Sequence, residues 1–196
     1  RQTLTKRCQT CRQSLARTHV NPTTTTGKCK ARWEEWKAKN PCVVCGETDP
    51  QVIEADHLRD KVHACSDASY WACHGGVPAL ESELAKCKSL CCWCHRLKTK
   101  RERSIWKQKS ILKRRAIVNA EKLRRGKCLR CPRRVTLETC CAFDFDHRDG
   151  TTKVIKLSRI IKKSQVFFDQ HIDSELKACD MLCCLCHKKV TIARKQ

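Results

Sequence analysis

A chain of 196 residues with a net charge of +22, 5% aromatic and 32% charged side chains, excludes one large hydrophobic core and points to one domain or two small ones. A surface that basic repels itself, so the expected partner is a polyanion: nucleic acid first, DNA or RNA, with an anionic membrane surface as runner-up. No apolar run approaches membrane-spanning length and no signal-peptide core is present, which argues against a membrane protein.

Nineteen of the residues are cysteines, an odd number, and they form five C-x-x-C pairs: Cys8/Cys11, Cys42/Cys45, Cys91/Cys94, Cys128/Cys131 and Cys183/Cys186. That spacing brings two thiolates to one tetrahedral ion from a tight turn, so zinc is favoured over a disulfide framework. Free thiolates imply a reducing compartment, the nucleus or an organelle matrix or stroma, and not secretion. The chain begins at Arg1 and not Met, as a processed or truncated product would.

Residues 1–40 read as a basic arm. Cys8 and Cys11 are either half of a third zinc site, completed by His19 and Cys29, or a loose pair. Residues 21–27 read as a loop by composition, and residues 30–39 as a short helix with Trp33 and Trp36 on one packing face.

Residues 41–100 form a first zinc domain. It opens on the knuckle Cys42-Val43-Val44-Cys45-Gly46, whose glycine permits the reversal. A short strand over residues 52–57 ends in Asp56-His57. Residues 58–78 read as a packed loop in which Cys65 and Cys73-His74 are buried thiols and a loop histidine, with metal ligation as the alternative. A helix follows over residues 79–88, and residues 90–98 close the site and start another helix. Residues 101–125 read as a basic helical linker. Between Arg96 and Lys127 stand fourteen Lys or Arg against Glu102 and Glu121. Lys98, Lys100, Arg101, Arg103, Lys107, Lys109, Lys113, Arg114, Arg115, Arg124 and Arg125 are therefore the candidate phosphate contacts.

Residues 126–196 form a second zinc domain. Cys128-Leu129-Arg130-Cys131 opens it, and a strand alternates Phe143 and Phe145 inward with Asp144 and Asp146 outward. A helix over residues 175–179 precedes Leu182-Cys183-Cys184-Leu185-Cys186-His187. The same string stands earlier as Leu90-Cys91-Cys92-Trp93-Cys94-His95, and the match runs from Glu83 and Glu175 to Thr99 and Thr191. The chain is thus an internal repeat. Cys42, Cys45, Cys91 and Cys94 would close one structural zinc site, and Cys128, Cys131, Cys183 and Cys186 a second. Four thiolates saturate each ion and leave no position for catalysis.

The Asp-His and Cys-His pairs lie outside those ligand sets. On them, and on the C-x-x-C order, both repeats resemble the HNH endonuclease family in its small, zinc-stabilised form. The resemblance implies a small α+β fold: two tandem ββα-metal domains of the HNH type joined by a basic helix. It implies His57 and His147 as general bases, and Asp56 with His95 and Asp146 with His187 as ligands of a divalent ion, magnesium or manganese. The family's asparagine is missing. Lys86 and Ala178 stand at one of its spacings, Trp93 and Leu185 at the other, and none lies between Asp56 and His95 or between Asp146 and His187. Two functions follow. One is a divalent-metal-dependent endonuclease cutting phosphodiesters. The other is a non-catalytic, HNH-derived RNA-binding subunit of a large ribonucleoprotein such as an organellar ribosome, with other proteins as neighbours.

Overall fold

The computed structural model describes residues 21–102, 109–148 and 155–194. Within these the chain is a small mixed α+β protein with eight α-helices and two two-stranded sheets. It divides into two compact units, residues 1–91 and 92–196. No helix among the described residues is long and apolar enough to cross a membrane.

In the first unit, α1 (Thr25–Lys39) starts five residues earlier than composition suggests. Thr24 caps it by accepting from the Gly27 N–H at 3.1 Å. Gly27 is needed there, because a Cβ at that position would stand 2.1 Å from the Asn21 carbonyl oxygen. The expected packing face is present: Trp33 and Trp36 are buried, with ring centroids stacked 5.4 Å apart.

The stretch read as a loop instead holds α2 (Ala68–Cys73) and the start of α3 (Gly76–Leu84). Asp67 caps α2, and Gly75, at φ +93°, makes the left-handed turn between the two helices. Tyr70 is stacked between His63 and His74, at 3.7 and 4.0 Å. Cys73 and His74 are exposed, so Cys73 is not the buried thiol expected of it. The helices α1, α2 and α3 pack on one another, and Trp71, Leu80 and Leu84 on them are buried, as are Val52 and Ile53.

Strand β1 (Ile53–His57) pairs antiparallel with β2 (Cys87–Cys91), placing His57 opposite Cys87 and Asp56 opposite Lys88. Residues 87 and 88, expected in a helix, are therefore strand. α4 (Cys92–Glu102) follows without a break and belongs to the second unit.

The second unit repeats the order. β3 (Phe143–His147) pairs with β4 (Cys179–Cys183), and His147 again faces a cysteine, Cys179. The helix expected at residues 175–179 is much longer, α7 (Gln165–Lys177), capped by Ser164, and a short α6 (Leu157–Ile160) precedes it. α8 (Cys184–Ala193) closes the repeat.

Between the repeats, α5 (Lys109–Arg125) packs into this unit. Its Val118 joins Leu157, Ile160, Phe168, Ile172, Leu176 and Cys179 in one buried cluster. Arg114 and Arg125 also turn inward. Arg114 donates to the Ile161 carbonyl and to Gln165, and Arg125 to the carbonyls of Leu176 and Cys179.

Candidate functional site

Two four-cysteine clusters come together as the spacing requires: Cys42, Cys45, Cys91 and Cys94, and Cys128, Cys131, Cys183 and Cys186. Zn–S bonds of about 2.3 Å imply tetrahedron edges of about 3.8 Å. Cys45 and Cys91 Sγ stand 3.6 Å apart, as do Cys131 and Cys183 Sγ. Both knuckles dock alike. Val43 N–H donates to the Ser89 carbonyl, and Leu129 N–H to the Met181 carbonyl, each acceptor lying two residues before the third cysteine. In the second cluster, backbone N–H groups of Arg130 and Cys183 point at Cys128 Sγ, at 3.4 and 3.2 Å. These are the donors a thiolate needs. Every described cysteine is unbridged. The donor chemistry fits zinc in a closed, structural role.

Behind the Asp-His pairs lies a contact that the spacing did not reveal. His57 Nε2 stands 2.9 Å from Glu83, which is 1% exposed, and His147 Nε2 stands 2.5 Å from Glu175, which is 3% exposed. These are the two glutamates at which the repeat match begins. A buried carboxylate this close can accept from a ring N–H and so orient an imidazole that carries its proton there. The positions where the HNH resemblance would place an asparagine make other contacts. Trp93 packs edge-on against Phe143 at 5.5 Å, Leu185 is buried, Ala178 caps α7, and Lys86 pairs with Glu83.

In repeat two the strand pairing opens onto a cavity of about 700 Å³ lined by Asp144, Asp146, His147 and His187, with Arg96, Lys122, Lys156 and Arg194 among its walls. His187 lies between the two aspartates, with Nδ1 3.0 Å from Asp144 and Nε2 3.6 Å from Asp146. Arg96 pairs with Asp144 at 2.8 Å, and Arg194 with Asp146 at 3.0 Å. Burial pushes the Asp144 carboxyl up, but the His187 hydrogen bond and the Arg96 charge outweigh it and hold it below its ordinary value. The same hydrogen bond, opposed by burial, raises His187. Burial lowers Lys122. Asp144 is a further residue of this cavity. Its signal was the alternation of the strand, which puts it on the face of Asp146, and repeat one carries an acid, Glu54, at the matching place.

In repeat one, Asp56 is buried on β1 and His95 lies in the first turns of α4, where its carbonyl accepts from Thr99 at 2.8 Å. Thr191 and His187 repeat that bond at 2.8 Å.

Of the candidate phosphate contacts, Lys100, Arg101, Lys113 and Arg124 are exposed. Arg124 pairs with Glu121, Lys98 with Glu102, and Lys100 donates to the carbonyls of Leu137 and Glu138. Arg115 is half-buried, while Arg114 and Arg125 are held inside as described. Cys8, Cys11, His19, Arg103, Lys107 and the side chain of Lys109 lie outside the described residues. Cys29 is fully buried in α1. Compared with family models, curated proteins and solved structures, the chain matches none of them.

Proposed function

We propose that the chain is a nucleic-acid-binding, HNH-type zinc protein whose second repeat hydrolyses phosphodiesters with a divalent ion, magnesium or manganese. The observation that carries this is the repeat-two cavity, where His147, Asp146 and His187 reach one space walled by four cations. A hard carboxylate oxygen and an imidazole nitrogen 3.6 Å apart fit such an ion, so Asp146 and His187 would hold it, with Asp144 steadying His187. Bound there, the ion stabilises charge on the phosphate.

The chain's own groups do the rest. Glu175 holds His147 through Nε2, which leaves Nδ1 to take the proton from the attacking water. The water oxygen bonds to phosphorus as the P–O bond to the leaving sugar oxygen breaks. Arg96, Lys156 and Arg194 draw the phosphate in, and Arg194 is half exposed and able to turn from Asp146 to it.

A second reading, a non-catalytic RNA-binding subunit of a large ribonucleoprotein, is favoured by the Arg194–Asp146 pair and by the missing asparagine. The test is incubation of supercoiled plasmid and structured RNA with the zinc-loaded chain and magnesium or manganese. Cleavage that is lost in Asp146→Asn and in His187→Ala supports the nuclease. Salt-sensitive binding with no cleavage of either substrate selects the second reading. Loss of both binding and cleavage in the folded wild type overturns both.

A further inference from the structure

Repeat one departs from repeat two at the histidine that would be its base. His57, Cys65 and Cys87 gather at the end of the β1–β2 pair, with their ligand atoms within 4.8 Å of one another. Cys65 Sγ lies 3.8 Å from His57 Nε2 and 3.9 Å from Cys87 Sγ. Around a tetrahedral zinc with bonds of about 2.3 Å to sulfur and about 2.0 Å to nitrogen, those edges would be about 3.8 Å for two sulfurs and about 3.5 Å for sulfur and nitrogen.

Three separate elements build the arrangement. The strand register sets His57 opposite Cys87. The loop bearing Cys65 is pinned on both sides: Val62 N–H donates to Glu83 at 2.8 Å, and the Trp71 indole donates to the Ala64 carbonyl at 3.0 Å. Cys65 itself is 3% exposed.

We propose that His57 Nε2, Cys65 Sγ and Cys87 Sγ bind a further zinc-class ion, distinct from the two four-cysteine sites, with the Glu83 carboxylate beside His57 as the nearest additional donor. Soft thiolates with one imidazole select zinc over magnesium. The site is particular to repeat one. Repeat two keeps the partners of His57 and Cys87, as His147 and Cys179. Aligning Lys61, Val62 and Ser66 with Lys153, Val154 and Ser158, however, sets Leu157 where repeat one has Cys65. Leu157 is 7% exposed, and among the described residues no such cluster forms there. A ligand histidine cannot act as a base, so repeat one would be a metal-stapled scaffold and only repeat two would keep its histidine for chemistry. The metal site does not depend on repeat two being a nuclease.

Native mass spectrometry of the full chain, purified with zinc, tests it. Cys65→Leu installs the residue of repeat two and should lower the zinc count by one with the circular dichroism spectrum retained. Cys87→Ser should do the same. An unchanged count in both variants, or a wild-type mass two hydrogens short from a Cys65–Cys87 disulfide, would overturn the proposal. Should either variant fail to fold, cobalt titration of the wild type decides. A class of cobalt with about half the sulfur-to-metal charge-transfer intensity per ion, set by two thiolates in place of four, is expected. Uniform four-thiolate spectra for every cobalt bound would refute it.

Discussion

Arg125→Ala separates folding from phosphate binding on the basic helix α5. By charge and position Arg125 reads as a nucleic-acid contact, yet its guanidinium donates to the carbonyls of Cys179 and Leu176 at 2.6 Å each and to Glu121 at 2.8 Å, and it lies over the Phe145 ring at 4.8 Å. Hydrogen bonds from a charged donor contribute roughly 1.5–3 kcal/mol each. A desolvated cation over an aromatic ring adds roughly 0.5–2 kcal/mol. These terms share one side chain and do not add, so the expected loss is about 3 kcal/mol. For a unit of this size that is a fall in melting temperature of roughly 10–20 °C. The assay is a thermal melt in excess zinc, run beside Lys113→Ala, which alters an exposed position on the same helix. Lys113→Ala should leave the melt within about 0.5 kcal/mol of the wild type. If Lys113 contacts a phosphate, its loss should also lower the slope of log affinity against log salt by about 0.9. Arg125→Ala, measured where it is still folded, should leave that slope unchanged. A melt of Arg125→Ala indistinguishable from the wild type would refute the inward role.

Removing zinc with a chelator, or replacing Cys183 by serine, should unfold the second unit, since a structural zinc contributes on the order of 10–16 kcal/mol to a small domain; unchanged far-ultraviolet circular dichroism would contradict this. Gly27→Ala should cost roughly 1–3 kcal/mol, because the added Cβ meets the Asn21 carbonyl, and Thr24→Ala about 1 kcal/mol from the lost cap. Thermal melts check both. Glu121 is held at about 2 by its hydrogen bond from Arg124, with Arg125 adding to it, against an ordinary value of 4.5. A depressed carboxylate contributes fully above its free value and loses that contribution as pH falls toward the folded one. Since Arg124 is 72% exposed, solvent screens the pair, and Glu121→Gln should lower stability by only about 1 kcal/mol or less at pH 7. The gap should narrow as pH falls below 4.5; urea midpoints at pH 7 and pH 4 check it, and a gap that widens on acidification contradicts the assignment.

The knuckles, the repeat and both Asp-His strands were legible in the sequence because each is a local pattern of period or spacing. The second strands were not. Cys87-Lys88-Ser89-Leu90-Cys91 and its counterpart carry the third zinc cysteine at their end, and the knuckle signal masks the strand. The start of α1 was hidden for a related reason: threonines and a glycine read as a loop until the cap of Thr24 and the close approach at Gly27 are seen together. The His57–Glu83 and His147–Glu175 pairs are contacts across more than two dozen residues. Only the strand register and the helix that follows bring them together, although the repeat match had marked both glutamates. The inward turn of Arg114 and Arg125 was hidden in a different way, because net charge along a helix does not say which side packs. The cluster of His57, Cys65 and Cys87 joins a strand, a loop and a second strand, an arrangement no C-x-x-C count could show.

The proposed cleavage of nucleic acid belongs to repeat two and not to repeat one. Single-turnover cleavage of a supercoiled plasmid or a structured RNA, with manganese and zinc-loaded protein, tests it by comparing His147→Ala with His57→Ala. A loss of at least about a hundredfold is expected in His147→Ala, the usual contribution of a positioned base, with cleavage retained in His57→Ala for protein that remains folded. Equal rates in His147→Ala and the wild type would contradict it.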